Sequence, residues 1–277
     1  MIRVARGSEP AELLAERARR LPELRAIAAT RPPVSKDFEG YGVAKPFLAE
    51  ASGSKCWYCE KRVEVKNEPV EHYRPKTQAN RGDRFPKHGY WWLALTWENL
   101  FFVCDDCNKA KGTYFPLDAG STALVAEAAP PGAEIPLLID PCAIDPTLHI
   151  EFVIEAATRT WRPRARGGSP IGAKTIEVLG LDGITKRPGI VDFFRDHVID
   201  RVLPQVEKLR EAMDRRDTRA VADQWDEACR KLLRRSNLYA ALSYDARGYF
   251  LREPARKPWG LVIPRPPWEP GAAPIFR

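Results

Sequence analysis

The sequence predicts an α+β fold: a strand–strand–helix core stapled by a four-cysteine zinc site, flanked by N-terminal helices and followed by a mainly helical C-terminal region. Three observations carry this expectation. Cys56, Cys59, Cys104 and Cys107 form two Cys-x-x-Cys pairs, each closing a short loop. A short alternating apolar run with Val63, Val65 and Val70 ends at the dipeptide Glu71–His72, as a strand would. From Ile171 onward, apolar residues recur at helical spacing.

Bulk composition narrows the class without deciding it. A chain of 277 residues, 44% hydrophobic, can bury a core of its own. Lys and Arg number 44 against 37 Asp and Glu, a formal charge of +7; this is a mild attraction toward polyanions and does not by itself establish a nucleic-acid partner. No apolar run approaches the ~18 residues of a membrane span, and charged, helix-forming sequence follows Met1 in place of a signal-peptide pattern. A cytoplasmic location without membrane contact is therefore expected. In such a chain the cysteine pairs favour metal thiolates over disulfides, and a redox Cys-x-x-Cys would be a single motif in a βαβ setting. Cys142 and Cys229, outside the pairs, read as buried free thiols.

Residues 1–55 read as an N-terminal helical segment. Ser8 and Pro10 start a helix that carries Leu14, Ala18, Leu21, Leu24 or Arg25, and Ala28, and Pro22 is expected to kink or divide it. Arg31-Pro32-Pro33 breaks the chain, and 43–51 predicts a short helix leading to the first cysteine pair. Residues 56–118 form the core: Asn99 opens a second strand in TWENLFFVC, and Asn108 follows the last cysteine in CNKAKG, where a helix can begin. Residues 119–277 read as a small sheet region, a helical layer and a Pro-rich tail. Short strands are expected over 136–140 and 149–155, with 159–166 closing a hairpin onto Gly167–Gly168. Helices follow over 174–179, stopped by Gly180, and over about 188–216, 219–235 and 238–252. The tail over 257–277 has too much Pro for regular structure, yet Trp259 and Trp268 predict that it lies against the rest.

Strand, loop, strand and helix is the order of a ββα-metal finger, a unit in which a carboxylate and an amide oxygen hold a hard divalent ion while an imidazole takes a proton from water. The motifs VEHYRPK, GYWWLALTWENL, CDDCNKAKG and FPL resemble the HNH (His-Me finger) endonuclease superfamily and, more narrowly, the HNH nucleases of Septu-type and retron-linked phage-defence systems, which work beside a partner ATPase. The resemblance extends from RGSEP to KTIEVLGLD, departing at Asp182, where the relatives have Asn. It implies a DNA endonuclease with His72 as general base, Glu71 and Asn108 as ligands of a catalytic Mg²⁺ or Mn²⁺, Asn99 fixing the loop that holds His72, and Lys111 meeting a phosphate. The four cysteines would then hold a structural Zn²⁺. Two alternatives stay open: an RNA (including tRNA) endonuclease using the same site, and a catalytically inactive zinc-stapled nucleic-acid-binding or assembly module.

Other residues point less sharply. Arg74 and Lys76 either contact nucleic acid or serve structure, and Arg159, Arg162, Arg164 and Arg166 around Trp161 are either backbone contacts or a solvated hairpin tip. Tyr90, Trp91, Trp92, Trp97, Phe101 and Phe102 form the densest aromatic cluster; base stacking is one use, but packing of a small finger against added helices is the reading for most of them. The connection over 73–97 is assigned only to packing and to gating of the site. Oligomeric state is left open.

Overall fold

Helix α1 (Ala11–Ala28) starts directly after Pro10 and buries Leu13 and Leu24, three helical turns apart. The computed structural model describes residues 1–82, 87–184 and 186–269. The expected division at Pro22 does not occur: α1 continues through it. Pro22 and Ala18, whose carbonyl loses its i+4 donor, lie on the exposed face, where water takes over that hydrogen bond. A single helical turn (Tyr41–Ala44) then leads into α2 (Lys45–Ser52), which ends at Gly53 in the left-handed conformation.

The core is built from very short strands. β1 (Val70–His72) is followed by the small ribbon of β2 (Gln78–Ala79) and β3 (Lys87–His88), and then β4 (Leu100–Phe102) returns to pair antiparallel with β1. Val70 faces Phe102, Glu71 faces Phe101 and His72 faces Leu100. Helix α3 (Asp105–Lys111) follows, with the Cys104 sulfur accepting the Cys107 N–H at its start. It begins before Asn108, so that residue sits within the helix and not at its first turn. Between the strands, Gly89 lies against the chain after His72: a Cβ there would stand 2.4 Å from the Pro75 carbonyl oxygen. Glycine alone permits the pair of hydrogen bonds, Gly89 to Thr77 at 2.9 Å and Tyr90 to Pro75 at 2.8 Å, that fastens the connection to the site.

Beyond the core, β5 (Ile150–Ile154) and β6 (Trp161–Ala165) form the expected hairpin, with Ile150 opposite Ala165 and Ile154 opposite Trp161. The stretch 136–140 is not a strand; Leu117 and Pro136 make only an isolated bridge. Proline supplies no N–H for a ladder, and Thr175 donates to the Ile139 segment no strand bond but accepts its N–H through a hydroxyl at 2.9 Å. α4 (Pro170–Leu179) is capped by Ser169 and stopped by Gly180, as expected. The long helix continues as α5 (Ile190–His197), a π-helical turn (Val198–Val202) and α6 (Leu203–Asp214); α7 (Thr218–Leu232) and α8 (Ala240–Phe250) complete the layer. Among the described residues no helix is long and apolar enough to cross a membrane.

Buried side chains from all of these segments, from Leu13 through Trp57, Phe101 and Ile176 to Trp225, belong to one contiguous cluster. Trp259 and Trp268 pack partly buried against it, and the Trp268 N–H donates to the Leu233 carbonyl at 2.7 Å. Residues 83–86 of the 73–97 connection and residues 270–277 of the tail lie outside the described residues. Cys229 is buried, whereas Cys142 is half-buried; neither is in a disulfide.

His197 ties the end of α5 to α8, its Nε2 lying 2.7 Å from the Ser243 hydroxyl. Burial holds its pKa down at about 4, with Arg201 and Lys55 acting in the same direction and Glu60 opposing. The unfolded chain therefore binds the extra proton first, near its ordinary pKa of ~6.5. Stability should be full above pH ~6.5 and fall as pH drops toward 4, by up to roughly 3 kcal/mol from this residue. Urea unfolding across that range should show the slope, and His197→Gln should flatten it.

Candidate functional site

The four cysteine sulfurs converge in the interior, all within 4.8 Å of one another, and each residue is buried. Sulfurs around tetrahedral zinc with ~2.3 Å bonds stand ~3.8 Å apart, and the Cys59–Cys104 pair is 3.7 Å apart. Burial pushes the Cys56 and Cys107 thiols well up, while hydrogen bonds from Cys104 and Cys107 hold Cys59 well down. Four thiolates gather in such a place only around a cation. These side chains therefore fit a structural zinc. Among the described residues this is the only cluster of three or more Cys, His, Asp or Glu donors close enough to share an ion.

A residue that the sequence did not single out completes this cluster. Arg187 Nη1 donates to the Cys107 sulfur at 3.0 Å, and the cysteines Cys107, Cys59 and Cys104 hold its guanidinium charged against the cost of burial. Its position, far from the second pair in sequence, carries no local signal.

The other expected site lies at the end of β1. His72 is 3% exposed, and its Nε2 is 2.9 Å from the Ala94 carbonyl oxygen. A carbonyl only accepts, so Nε2 carries the proton and Nδ1 presents a lone pair. That lone pair faces Lys76, whose Nζ is 3.4 Å away. The Tyr41 ring stands edge-on to the imidazole at 4.6 Å, and the Lys76 ammonium lies over Tyr41 at 5.0 Å. Burial, reinforced by the charge of Lys76 and opposed by the Ala94 carbonyl, keeps His72 well below its ordinary pKa, and it is neutral.

Asn99 is buried just before β4 and bonds on both sides of its amide. Its side-chain oxygen accepts the Arg74 N–H at 2.7 Å, and its amide nitrogen donates to the carbonyls of Arg74 at 3.0 Å and Leu93 at 3.1 Å. One side chain thus locks the turn after His72 to the segment that carries the Ala94 carbonyl.

Lys111 and Arg74 are both paired inside the protein, Arg74 in the structural one of its two readings. Lys111 is fully buried, donating to Glu71 at 2.5 Å and to the His72 carbonyl at 2.8 Å, where the resemblance implied a contact with phosphate. It lies in the last turn of α3 and reaches back across the hairpin because the buried Glu71 carboxylate needs a counter-charge. Burial still raises the Glu71 pKa, with Lys111 and Lys76 opposing. Arg74 is spoken for in the same way: its Nε is 2.8 Å from the buried Glu134, which also accepts from Tyr90. Asn108 is half-buried on α3.

The basic hairpin is largely self-paired. Arg164 meets Glu151 at 2.9 Å, Arg166 meets Asp245 at 2.6 Å, and Arg162 meets Glu155 at 3.2 Å, while Arg159 is exposed with a left-handed backbone. Within the aromatic cluster, Tyr90, Trp97, Phe101 and Phe102 are buried, as packing requires, but Trp91 and Trp92 are only half-buried. Asp182 accepts the Ile184 N–H at 3.1 Å in the turn after α4, away from these groups in the sequence.

Against known proteins, the chain is 35% identical over 193 residues to the Septu protein PtuB of Bacillus mycoides, covering 65% of this chain and 63% of that one. It is 33% identical over 116 residues to the Septu protein PtuB of Bacillus thuringiensis, covering 41% and 38%. It is also 30% identical over 109 residues to the Septu protein PtuA of Bacillus mycoides, covering 38% and 15%. The chain thus spans less than two thirds of the length of these curated relatives. No family model and no solved structure matches it.

The purified chain should carry one zinc, readable by elemental analysis, and Cys107→Ala should lose it. Arg187→Ala should keep the ion but weaken its binding about 10- to 100-fold in a chelator competition, because it removes a donor to a ligand sulfur.

Proposed function

We propose that the chain is a metal-dependent HNH endonuclease that hydrolyses phosphodiester bonds of DNA, acting as the effector of a Septu-type anti-phage defence system with an ATPase partner. The observation that carries the reading is the setting of His72: an imidazole with its proton pinned on Nε2 and its Nδ1 lone pair left for chemistry, beside Glu71, in a strand–strand–helix unit closed by four cysteines. The similarity to PtuB and PtuA supports the defence role and the partner.

In this reading Glu71 and Asn108 would hold Mg²⁺ or Mn²⁺. When bound, such an ion stabilises negative charge on the scissile phosphate and on the leaving oxygen. The remaining steps fall to the chain. Glu71, Lys76 and Lys111 contribute one negative and two positive charges, a net of +1 around a neutral imidazole, which draws a phosphate inward. A phosphate oxygen competes with Nδ1 for the Lys76 ammonium, because a charge-assisted bond to an anion is stronger than one to a neutral ring. Nδ1 is then free to take a proton from water. The water oxygen bonds to phosphorus, the bond to the 3′-oxygen breaks, and that oxygen leaves with a proton from solvent, giving a 5′-phosphate and a 3′-hydroxyl.

Asn99 is a positioning residue in this scheme: it keeps the Ala94 carbonyl in register with Nε2 and so keeps the lone pair on the correct nitrogen. Lys111 holds Glu71 ionised and in place.

Plasmid DNA and total RNA, incubated in parallel with protein and Mg²⁺ or Mn²⁺, with and without the partner, test the reading. His72→Ala should lower the cleavage rate ~10²- to 10⁴-fold, and Asn99→Ala about 10²-fold. Wild type and His72→Ala behaving alike under every condition would sink it, and cleavage of RNA alone would change the substrate.

A further inference from the structure

A cleft of about 500 Å³ opens at Lys76, lined by the end of α1 and the prolines after it, by Lys76 and Arg81, and by His88, Trp91 and Trp92. Its volume falls within the ~300–1,000 Å³ of small-molecule sites. The charged side chains lining it, Arg31, Lys76 and Arg81, are all basic among the described residues. The rest of its lining is mainly Ala, Pro, Leu and indole.

Two features distinguish this cleft from a packing gap. Trp91 and Trp92 alone among the six aromatic residues of the 90–102 stretch are not buried, and they stand edge to face with centroids 5.9 Å apart. Trp92 is fixed by donating its Nε1–H to the Ala128 carbonyl at 2.8 Å, and Arg81 is fixed by donating to the Tyr90 hydroxyl at 2.8 Å. Trp92 and Arg81 are thus held in place before any ligand arrives, and Trp91 stands against Trp92. The second feature is Lys76, which both lines the cleft and lies 3.4 Å from the His72 Nδ1. A phosphate held by Lys76 would have its own sugar and base within reach of the indoles.

We propose that this cleft takes a nucleobase of the substrate strand, unstacked from its neighbours and laid against Trp91, while Lys76 holds the adjoining phosphate at His72. The base position rests on the nuclease reading above. It makes the preferred substrate a single-stranded or locally opened nucleic acid, because a base inside a duplex cannot enter a pocket without leaving its stack. Every base has a π-face, so stacking on indole favours strandedness over sequence. The shared chemistry is a nucleotide of either DNA or RNA.

Binding can be read without catalysis. The full chain bearing His72→Ala, in buffer without added divalent cation, is titrated with labelled single-stranded 12-mers of DNA and of RNA, with the DNA duplex, and with an otherwise identical strand made of abasic sites. Anisotropy and quenching of tryptophan fluorescence are followed together. A saturable single-strand complex that quenches tryptophan is expected, weaker for the duplex and the abasic strand. Adding Trp91→Ala should raise the dissociation constant roughly 5- to 150-fold for the single strand and remove its advantage over the abasic strand, whereas Trp91→Phe should recover most of the loss. Circular dichroism and zinc content establish that each variant is folded. No saturable binding, or equal binding by Trp91→Ala and its parent, overturns the base pocket. A Trp91-dependent complex with DNA or RNA supports it even if the His72-competent protein cleaves neither, in which case the catalytic reading fails and the pocket stands. Conversely, cleavage with Trp91-independent binding leaves the nuclease intact and removes the pocket.

Discussion

Four sulfurs gathered in a space too dry for four thiolates are the constraint on which the core depends. β1 and β4 are three residues each, too short to hold together as an isolated hairpin, and a long connection separates them. The cysteine cluster closes that connection. Cys104 follows β4 directly and caps α3, while the first cysteine loop is stitched to β4 by the Trp57 N–H on the Phe102 carbonyl at 2.9 Å. An ion shared by the two pairs would hold both ends of the loop that contains Glu71, His72 and Asn99, and so would lower the chain entropy that folding must overcome. Glu60, next to Cys59, extends the same anchoring outward. Its buried carboxylate accepts the Ala240 N–H at 2.8 Å and the Ala241 N–H at 3.3 Å, fixing the start of α8 to the cysteine loop.

A second constraint follows from burying charge around His72. Glu71, Lys111 and His72 are all nearly inaccessible, so each polar atom must find a partner inside. The solution is local: Lys111 neutralises Glu71, Ala94 takes the imidazole proton, and Lys76 rests against the lone pair. This arrangement stabilises the core, and it also means that Glu71, His72, Lys76 and Lys111 are each engaged with another group of the chain. In the proposed reaction, substrate and cation would act by exchanging partners within a buried cluster of net charge +1, not by filling an open bowl. Tyr41, delivered by the turn before α2, closes the imidazole from its side, which makes the N-terminal segment part of the site.

What the sequence made legible divides by distance along the chain. The cysteine pairs, the hairpin of β5 and β6, the stop at Gly180 and the helices of the last third are set by neighbours within a few residues, and they stand where spacing placed them. The roles that spacing could not give are those set by long-range partners. Nothing near Lys111 announces Glu71, forty positions earlier, as its counter-charge. Nothing near Cys107 announces Arg187. The Ala94 contact is made through a backbone carbonyl, to which residue identity is silent. Pro22 misled for the opposite reason: a helix-breaking signal is real only where the orphaned carbonyl cannot reach water, and here it can.

The same division explains why the aromatic stretch had to be read ring by ring. Composition places Tyr90, Trp91, Trp92, Trp97, Phe101 and Phe102 together, and a small finger needs most of them as core. Only the fold shows that the chain turns at Gly89, which fits because its missing Cβ lets it lie against Pro75. That close approach draws the connection back over the turn after His72. It leaves the two indoles next in sequence half-buried along the cleft wall, with Lys76 at its inner end. A side chain at position 89 would push the connection away and take with it both the Ala94 carbonyl that orients the imidazole and the indoles of the cleft. The orientation of the imidazole and the shape of the neighbouring pocket are therefore consequences of one backbone contact.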